Sequence, residues 1–181
     1  MQTLSGYKYL LSYQYSSVVY DFTVEFCRFF LPGREFLRQR DQMIQAARSG
    51  KQNICEGYSV ESLENYIKLL GVAKGSIKEL LEDYEDYLRQ HRLQLWNKNS
   101  IKMRKMREIR VMSDPSFHIP HYPHIPHLPD IAANLMVMLC QRTTYLLDKQ
   151  ITALKDKFIR EGGFRENLFK QRMQYRNRLR K

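Results

Sequence analysis

Apolar side chains recur at three- and four-residue steps through most of this chain, the period of a helix with one buried face. Leu11, Tyr15, Val18, Phe22, Phe26 and Phe29 form one such row within residues 8–31, while Ser17, Asp21, Glu25 and Arg28 fall off it. Pro32-Gly33 ends that segment. A second runs from Arg34 to Glu56 on a thinner row of Phe36, Met43, Ala47, Gly50 and Ile54, with Arg34, Arg38, Asp41 and Arg48 on its polar side. Gly57 is placed as the left-handed residue that stops it. The third is the most regular, with Leu63, Tyr66, Leu70, Ala73, Ile77, Leu80, Tyr84 and Tyr87 in register and Ser59 or Ser62 available to cap the first amides. Gly71 and Gly75 lie one turn apart within it, at ~1 kcal/mol of lost helix propensity each. That spacing points to the close approach of a neighbouring backbone, with chance as the other reading.

After Leu93 to Trp96 comes a short basic amphipathic piece, Ser100 to Met112, whose apolar side holds Ile101, Met103, Met106 and Ile109. The helical period then stops. Residues 118–129 repeat a triplet four times, His-Ile-Pro, His-Tyr-Pro, His-Ile-Pro, His-Leu-Pro. Proline at every third position forbids a helix and favours polyproline II. Asp130 opens a last long helix to about Phe158, with Leu135, Leu139, Leu147, Ile151, Leu154 and Phe158 as its buried row, and Gly162-Gly163 breaks it. The tail from Phe164 carries weak helical spacing at Leu168, Met173 and Tyr175. Four long amphipathic helices joined mostly by short links predict an all-α, antiparallel up-down four-helix bundle. The bundle spans residues 1–158, with a His/Pro-rich linker at 113–129, and a basic C-terminal suffix occupies 159–181.

Charge sharpens this picture. The chain carries a formal +11, of which residues 98–110 hold +5 and residues 155–181 hold +7, leaving the rest at −1. A near-neutral body with two concentrated basic segments reads as a scaffold offering a polyanion-binding surface. The candidate nucleic-acid contacts are Lys98, Lys102, Arg104, Lys105, Arg107 and Arg110 in the first segment. In the second they are Arg165, Lys170, Arg172, Arg176, Arg178, Arg180 and Lys181. Arginine suits bidentate phosphate contact, and the interleaved Phe164, Phe169 and Tyr175 could stack on bases or pack back onto the bundle, the reading favoured for Phe164. A surface kept basic for solubility, or cations meeting an acidic protein or the Glu79 to Asp86 patch of a neighbour, are the competing readings.

Other chemistry finds little support in the residues. Glu79, Glu82, Asp83, Glu85 and Asp86 spread around the helix as a solvated face more simply than as a cation site. In polyproline II, His118, His121, His124 and His127 would line one edge about 9 Å apart. That spacing is too wide for two neighbours to share a zinc ion that needs ligands at ~2 Å, so a stiff spacer or docking strip is expected and no metal. Cys27, Cys55 and Cys140 are odd in number and form no Cys-x-x-Cys, which points to a reducing, cytoplasmic setting. No secretory leader pattern and no ~20-residue apolar run is visible, and the run from Leu135 to Cys140 is far too short to cross a membrane. No nucleophile elbow, phosphate-cradling glycine loop or cofactor motif is present, so no enzyme activity and no cofactor are expected. The 12 Tyr and 9 Phe exceed what one small bundle buries, which predicts a homo-oligomer.

Two stretches carry a resemblance. Arg48-Ser49-Gly50-Lys51-Gln52-Asn53-Ile54-Cys55-Glu56-Gly57 resembles the end of the second helix in the bacterial four-helix-bundle family that includes the 23S ribosomal RNA intervening-sequence proteins. There a serine precedes Asn-Ile-Ala-Glu-Gly, and Cys55 stands here in place of the alanine. Ala73-Lys74-Gly75-Ser76-Ile77-Lys78-Glu79-Leu80 is similar to that family's third-helix run of Ala-x-Gly-Ser-Leu-x-Glu-Leu. The tail from Phe158 to Asn177, with Gly162-Gly163-Phe164 and Glu166, looks like the suffix extension of some members, whereas the His/Pro repeat lies outside the family pattern. Among the accessory variability determinants of diversity-generating retroelements, which share the bundle, a basic pentameric ring binds a reverse transcriptase and RNA. The resemblance therefore implies a pentameric, RNA- or RNA–DNA-binding accessory protein, possible partner of a reverse transcriptase. The alternative is a protein-interaction scaffold for an acidic partner, without nucleic acid.

Overall fold

The computed structural model describes residues 6–108 and 124–179, with the side chains of Arg107 and Glu108 left aside. Arg110, Arg180, Lys181, Ile109, His118 and His121 thus lie outside the described residues. All regular structure described is helical. A 3₁₀ turn at Gly6–Tyr9 precedes α1 (Leu11–Phe30), and another at Arg34–Phe36 leads into α2 (Leu37–Ser59). Then come α3 (Leu63–Gln90), the short α4 (Ile101–Glu108), α5 (Pro129–Glu161) and α6 (Phe164–Arg178).

The four long helices pack in cyclic order. α1 contacts α2 and α5, and α3 contacts the same two from the other side. The links Leu31–Phe36 and Val60–Ser62 are too short for anything but antiparallel neighbours. Val19, Phe26, Met43, Ala47, Ile54, Leu70, Ala73, Ile77, Leu80, Met136 and Leu147 have no exposed surface. An aromatic knot ties α1 to α3, with Phe26 4.9 Å from both Tyr84 and Tyr87 in edge-on geometry. The buried Tyr84 hydroxyl donates to Thr23 Oγ1 at 2.9 Å, which satisfies a polar group that burial would otherwise leave unpaired.

Several expectations are corrected by the packing. Gly57 does not end α2, which continues to Ser59; a Cβ there would lie 2.7 Å from Tyr66 Cδ2, so the glycine admits α3 rather than turning the chain. Gly50 likewise makes room for Ile77, 2.5 Å from where its Cβ would stand. Gly71 and Gly75, the pair expected to admit a neighbouring backbone, face open space with nothing within 4 Å. Helical spacing identified the right kind of device on the wrong helix. Leu11 and Phe29 of the first row are 55% and 43% exposed, because the row is wider than the groove that receives α1.

The turns that close α3 and α5 decide where the two basic segments lie. Arg92 has φ 55°, and Leu93 N–H donates to the Leu88 carbonyl at 2.8 Å while Arg92 N–H donates to that of Arg89 at 3.2 Å. This is a Schellman closure with arginine in the left-handed position that glycine usually fills. It throws the chain sideways into Leu93–Trp96. Pro129, the last proline of the triplet repeat, occupies the first turn of α5, where its missing N–H has no consequence. At the other end Gly162, with φ 77°, stops α5 and Glu166 accepts the Gly163 N–H at 3.1 Å to open α6.

Candidate nucleic-acid interface

The first basic segment is held by two buried methionines. Met103 and Met106 are 2% and 5% exposed and seat α4 on the body, whereas Ile101, expected beside them, is 64% exposed. With the apolar side turned inward, Lys102, Arg104 and Lys105 are left exposed, and Lys98 is exposed just upstream. The Leu93–Trp96 segment that leads there is pinned by Asn134 of α5, whose side chain has no exposed surface. Its Oδ1 accepts the Trp96 N–H at 2.8 Å, and its Nδ2 donates to the Gln94 carbonyl at 3.0 Å and the Asp130 carbonyl at 2.8 Å. One buried amide thus fixes the approach to α4. Lys102 Nζ lies 5.2 Å from the ring centre of the half-buried Trp96.

The second segment stands apart. Every described side chain from Phe164 to Leu179 except that of Asn167 is exposed, and α6 buries no residue. Arg165, Lys170, Arg172, Arg176 and Arg178 are therefore all open to solvent. Phe164, expected to pack back, is 45% exposed, and Phe169 and Tyr175 are each 64% exposed. The physical reason is that Arg165, Arg172 and Arg176 fall among the apolar residues of α6, so no clean apolar face is left to lay on the body.

The two segments do not merge into one patch. α4 sits near Val137 and Gln141 of α5, and α6 begins beyond the far end of the same helix. The intervening stretch of α5 spans roughly 30–36 Å at ~1.5 Å per residue. A long polyanion could bridge them, but a short one meets one or the other.

Ion pairing leaves these cations uncompensated. Among the described residues the pairs are Lys74–Asp148, Arg89–Asp86, His124–Glu25 and Lys157–Glu161. None involves Lys98, Lys102, Arg104, Lys105, Arg165, Lys170, Arg172, Arg176 or Arg178. The acidic run on α3 is likewise left largely to itself. Burial, then repulsion from Glu79 and Asp86, push the Asp83 carboxyl up to about 6.

The described part of the triplet repeat packs on its own chain. Ile125 is 1% exposed, its N–H donates to Glu25 Oε2 at 2.8 Å, and the His127 ring lies 5.2 Å from that of Phe29. A strip expected as a spacer or partner dock is, at its end, a cover for the C-terminal half of α1. Among the described residues no three His, Cys, Asp or Glu side chains stand close enough to hold a metal ion. No described helix is long and apolar enough to cross a membrane. Cys27, Cys55 and Cys140 are free thiols.

Sequence reasoning passed over Trp96, Asn134, Arg92 and Gln141. The available signal was the only tryptophan in the chain, flanked by Lys98 and Lys102.

No known family, curated protein or solved structure matches this chain. The functional reading therefore rests on the geometry of the exposed cations and on the resemblance of the two helical stretches.

Proposed function

We propose that this chain is a cytoplasmic, non-enzymatic, nucleic-acid-binding accessory protein, an up-down four-helix bundle that assembles with copies of itself. RNA or an RNA–DNA hybrid is the ligand class. By the resemblance of residues 48–57 and 73–80, the assembly is a pentamer and a reverse transcriptase of a diversity-generating retroelement is its protein partner. The observation that carries the reading is the clustering of exposed, unpaired cations in two segments. Nine of the thirteen candidates have described side chains, and all nine are exposed with no carboxylate within ion-pair distance among the described residues. Cations kept only for solubility gain nothing from such clustering, whereas phosphate binding through counterion release does.

The test is affinity for a structured RNA measured by fluorescence anisotropy. Replacing Lys102, Arg104, Lys105 and Arg107 together with Ala is expected to weaken binding at least tenfold with the far-ultraviolet circular dichroism unchanged. Unchanged affinity in that variant, and in one lacking the cations of α6, would end the reading. Co-purified material absorbing at 260 nm and removed by nuclease supports it further.

A second reading, a scaffold for an acidic protein, is favoured by α6. Isolated helices of this length are marginal in water, and α6 exposes Leu168, Phe169, Met173 and Tyr175, with Leu179 just beyond its end. A helix so placed gains order from a partner. Clean protein that binds no RNA but captures an acidic partner in fixed ratio would favour this reading over the first.

A further inference from the structure

The basic segment at α4 borders a cleft whose walls are mostly uncharged. It lies between the Leu93–Trp96 segment, α4 and α5, with a volume of about 410 Å³, inside the roughly 300–1,000 Å³ range of small-ligand sites. Trp96, Met103 and Val137 give it apolar walls, Asn97 and Gln141 give it amide groups, and Lys98 stands at its edge. Trp96 is anchored through its backbone. Its backbone N–H is held by the buried Asn134 amide, and the Schellman turn at Arg92 sets where the segment departs. A half-buried tryptophan anchored in this way, with a lysine ammonium 5.2 Å from its ring centre, offers a stacking surface beside charges suited to phosphate.

We propose that this cleft takes one unpaired base of a single-stranded polynucleotide, stacked on Trp96, with the flanking phosphates on Lys98, Lys102, Arg104 and Lys105. The inference rests on the nucleic-acid reading above and narrows it to single strands at this end of the molecule. The chemistry of the pieces fits the ligand. A base offers a flat π-face to the indole and edge donors and acceptors to the side-chain amides of Asn97 and Gln141. Stacking of this kind tolerates any base, since each has such a face. The Lys102 ammonium over the indole adds cation–π attraction to that ring and neutralises the adjoining phosphate. A duplex keeps its bases stacked within itself, so it has none to place there.

The single tryptophan makes the test direct, since all indole emission comes from Trp96. The full-length chain is titrated with a single-stranded oligoadenylate of about twelve nucleotides, its deoxy counterpart, a matched RNA duplex, and heparin as a base-free polyanion. Anisotropy of labelled ligand and tryptophan emission are read together. The expected result is strong quenching by a single strand and none by heparin or duplex at equal occupancy. Quenching by the ribo- or the deoxyribo-oligomer also tells which sugar the site accepts. Trp96→Ala should weaken single-strand binding by about 10- to 100-fold and leave heparin binding unchanged, and Trp96→Phe should retain most of it. Should Trp96→Ala fail to fold, Gln141→Glu at an exposed position of α5 places a carboxylate at the cleft. It should then weaken the single strand several-fold more than heparin. Equal binding of all four ligands with unaltered emission overturns the proposal while the polyanion reading stands. Absence of binding by any of them overturns both.

Discussion

Four glycines test the packing of α2 against α3 by opposite signs. Gly71 and Gly75 sit in the middle of α3 with nothing within 4 Å of an added Cβ. Alanine there gains helix propensity of ~0.8–1 kcal/mol per site without a steric cost. Gly50 and Gly57 lie inside α2, where a Cβ meets Ile77 Cδ1 at 2.5 Å and Tyr66 Cδ2 at 2.7 Å. Ile77 is fully buried, and the Tyr66 hydroxyl is held by Gln150 at 2.6 Å. Neither neighbour gives way freely, so overpacking costs ~1–3 kcal/mol and outweighs the propensity gain. For a chain of this size ~1 kcal/mol moves Tm by roughly 2–4 °C. Thermal unfolding followed by circular dichroism is therefore expected to show Gly71→Ala plus Gly75→Ala raising Tm by roughly 4–8 °C. Gly50→Ala and Gly57→Ala should each lower it by a few degrees. All three variants moving in one direction would refute the assignment of which glycines admit a neighbouring helix.

Three more outcomes are expected of the same structure. Arg92→Gly relieves a left-handed arginine whose conformation costs ~1–2 kcal/mol, so it should raise unfolding stability in urea by ~1 kcal/mol; a loss would mean the arginine side chain has a structural role of its own. Because the Asp83 carboxyl is raised from 3.8 to about 6, the fold binds more protons than the unfolded chain between these values, so stability falls as pH rises through that window. Asp83→Asn should raise unfolding stability at pH 7.5 by under ~1 kcal/mol for this half-exposed group, with the gain gone below pH 4; a gain independent of pH would contradict the cause given. Burial pushes the Cys27 thiol up to about 12 and raises that of the fully buried Cys140 still further. Iodoacetamide at pH 8 should thus modify Cys55 alone in the native chain and all three cysteines in denaturant, and fast labelling of Cys27 or Cys140 would refute the burial.

The long helices were legible because each carries a sustained three-four repeat, and their ends were legible where the residue type alone dictates the turn. Ser62, whose hydroxyl accepts the Asn65 N–H at 3.4 Å, and Gly162 are of that kind. Arg92 was not, since arginine gives no hint of a left-handed turn. Gly57 was misassigned, and the choice between packing and chance at Gly71 and Gly75 stayed open, for a related reason. A glycine's purpose is set by what stands opposite, and only tertiary packing brings Tyr66 to one and open solvent to the others. The basic clusters could be read from composition, but their separation along α5 depends on the length of a helix that passes between them. The Trp96 cleft needed Asn134, thirty-eight residues away in sequence, to become visible.

The central claim is that cations left without carboxylate partners grip a polyanion. It is tested most directly by the affinity for single-stranded RNA measured as a function of salt. Six phosphate contacts on a single strand give a log–log slope near −4. A slope of about that size is predicted, flattening when Lys102, Arg104, Lys105 and Arg107 become Ala. An affinity that holds constant from about 50 to 300 mM salt would contradict it.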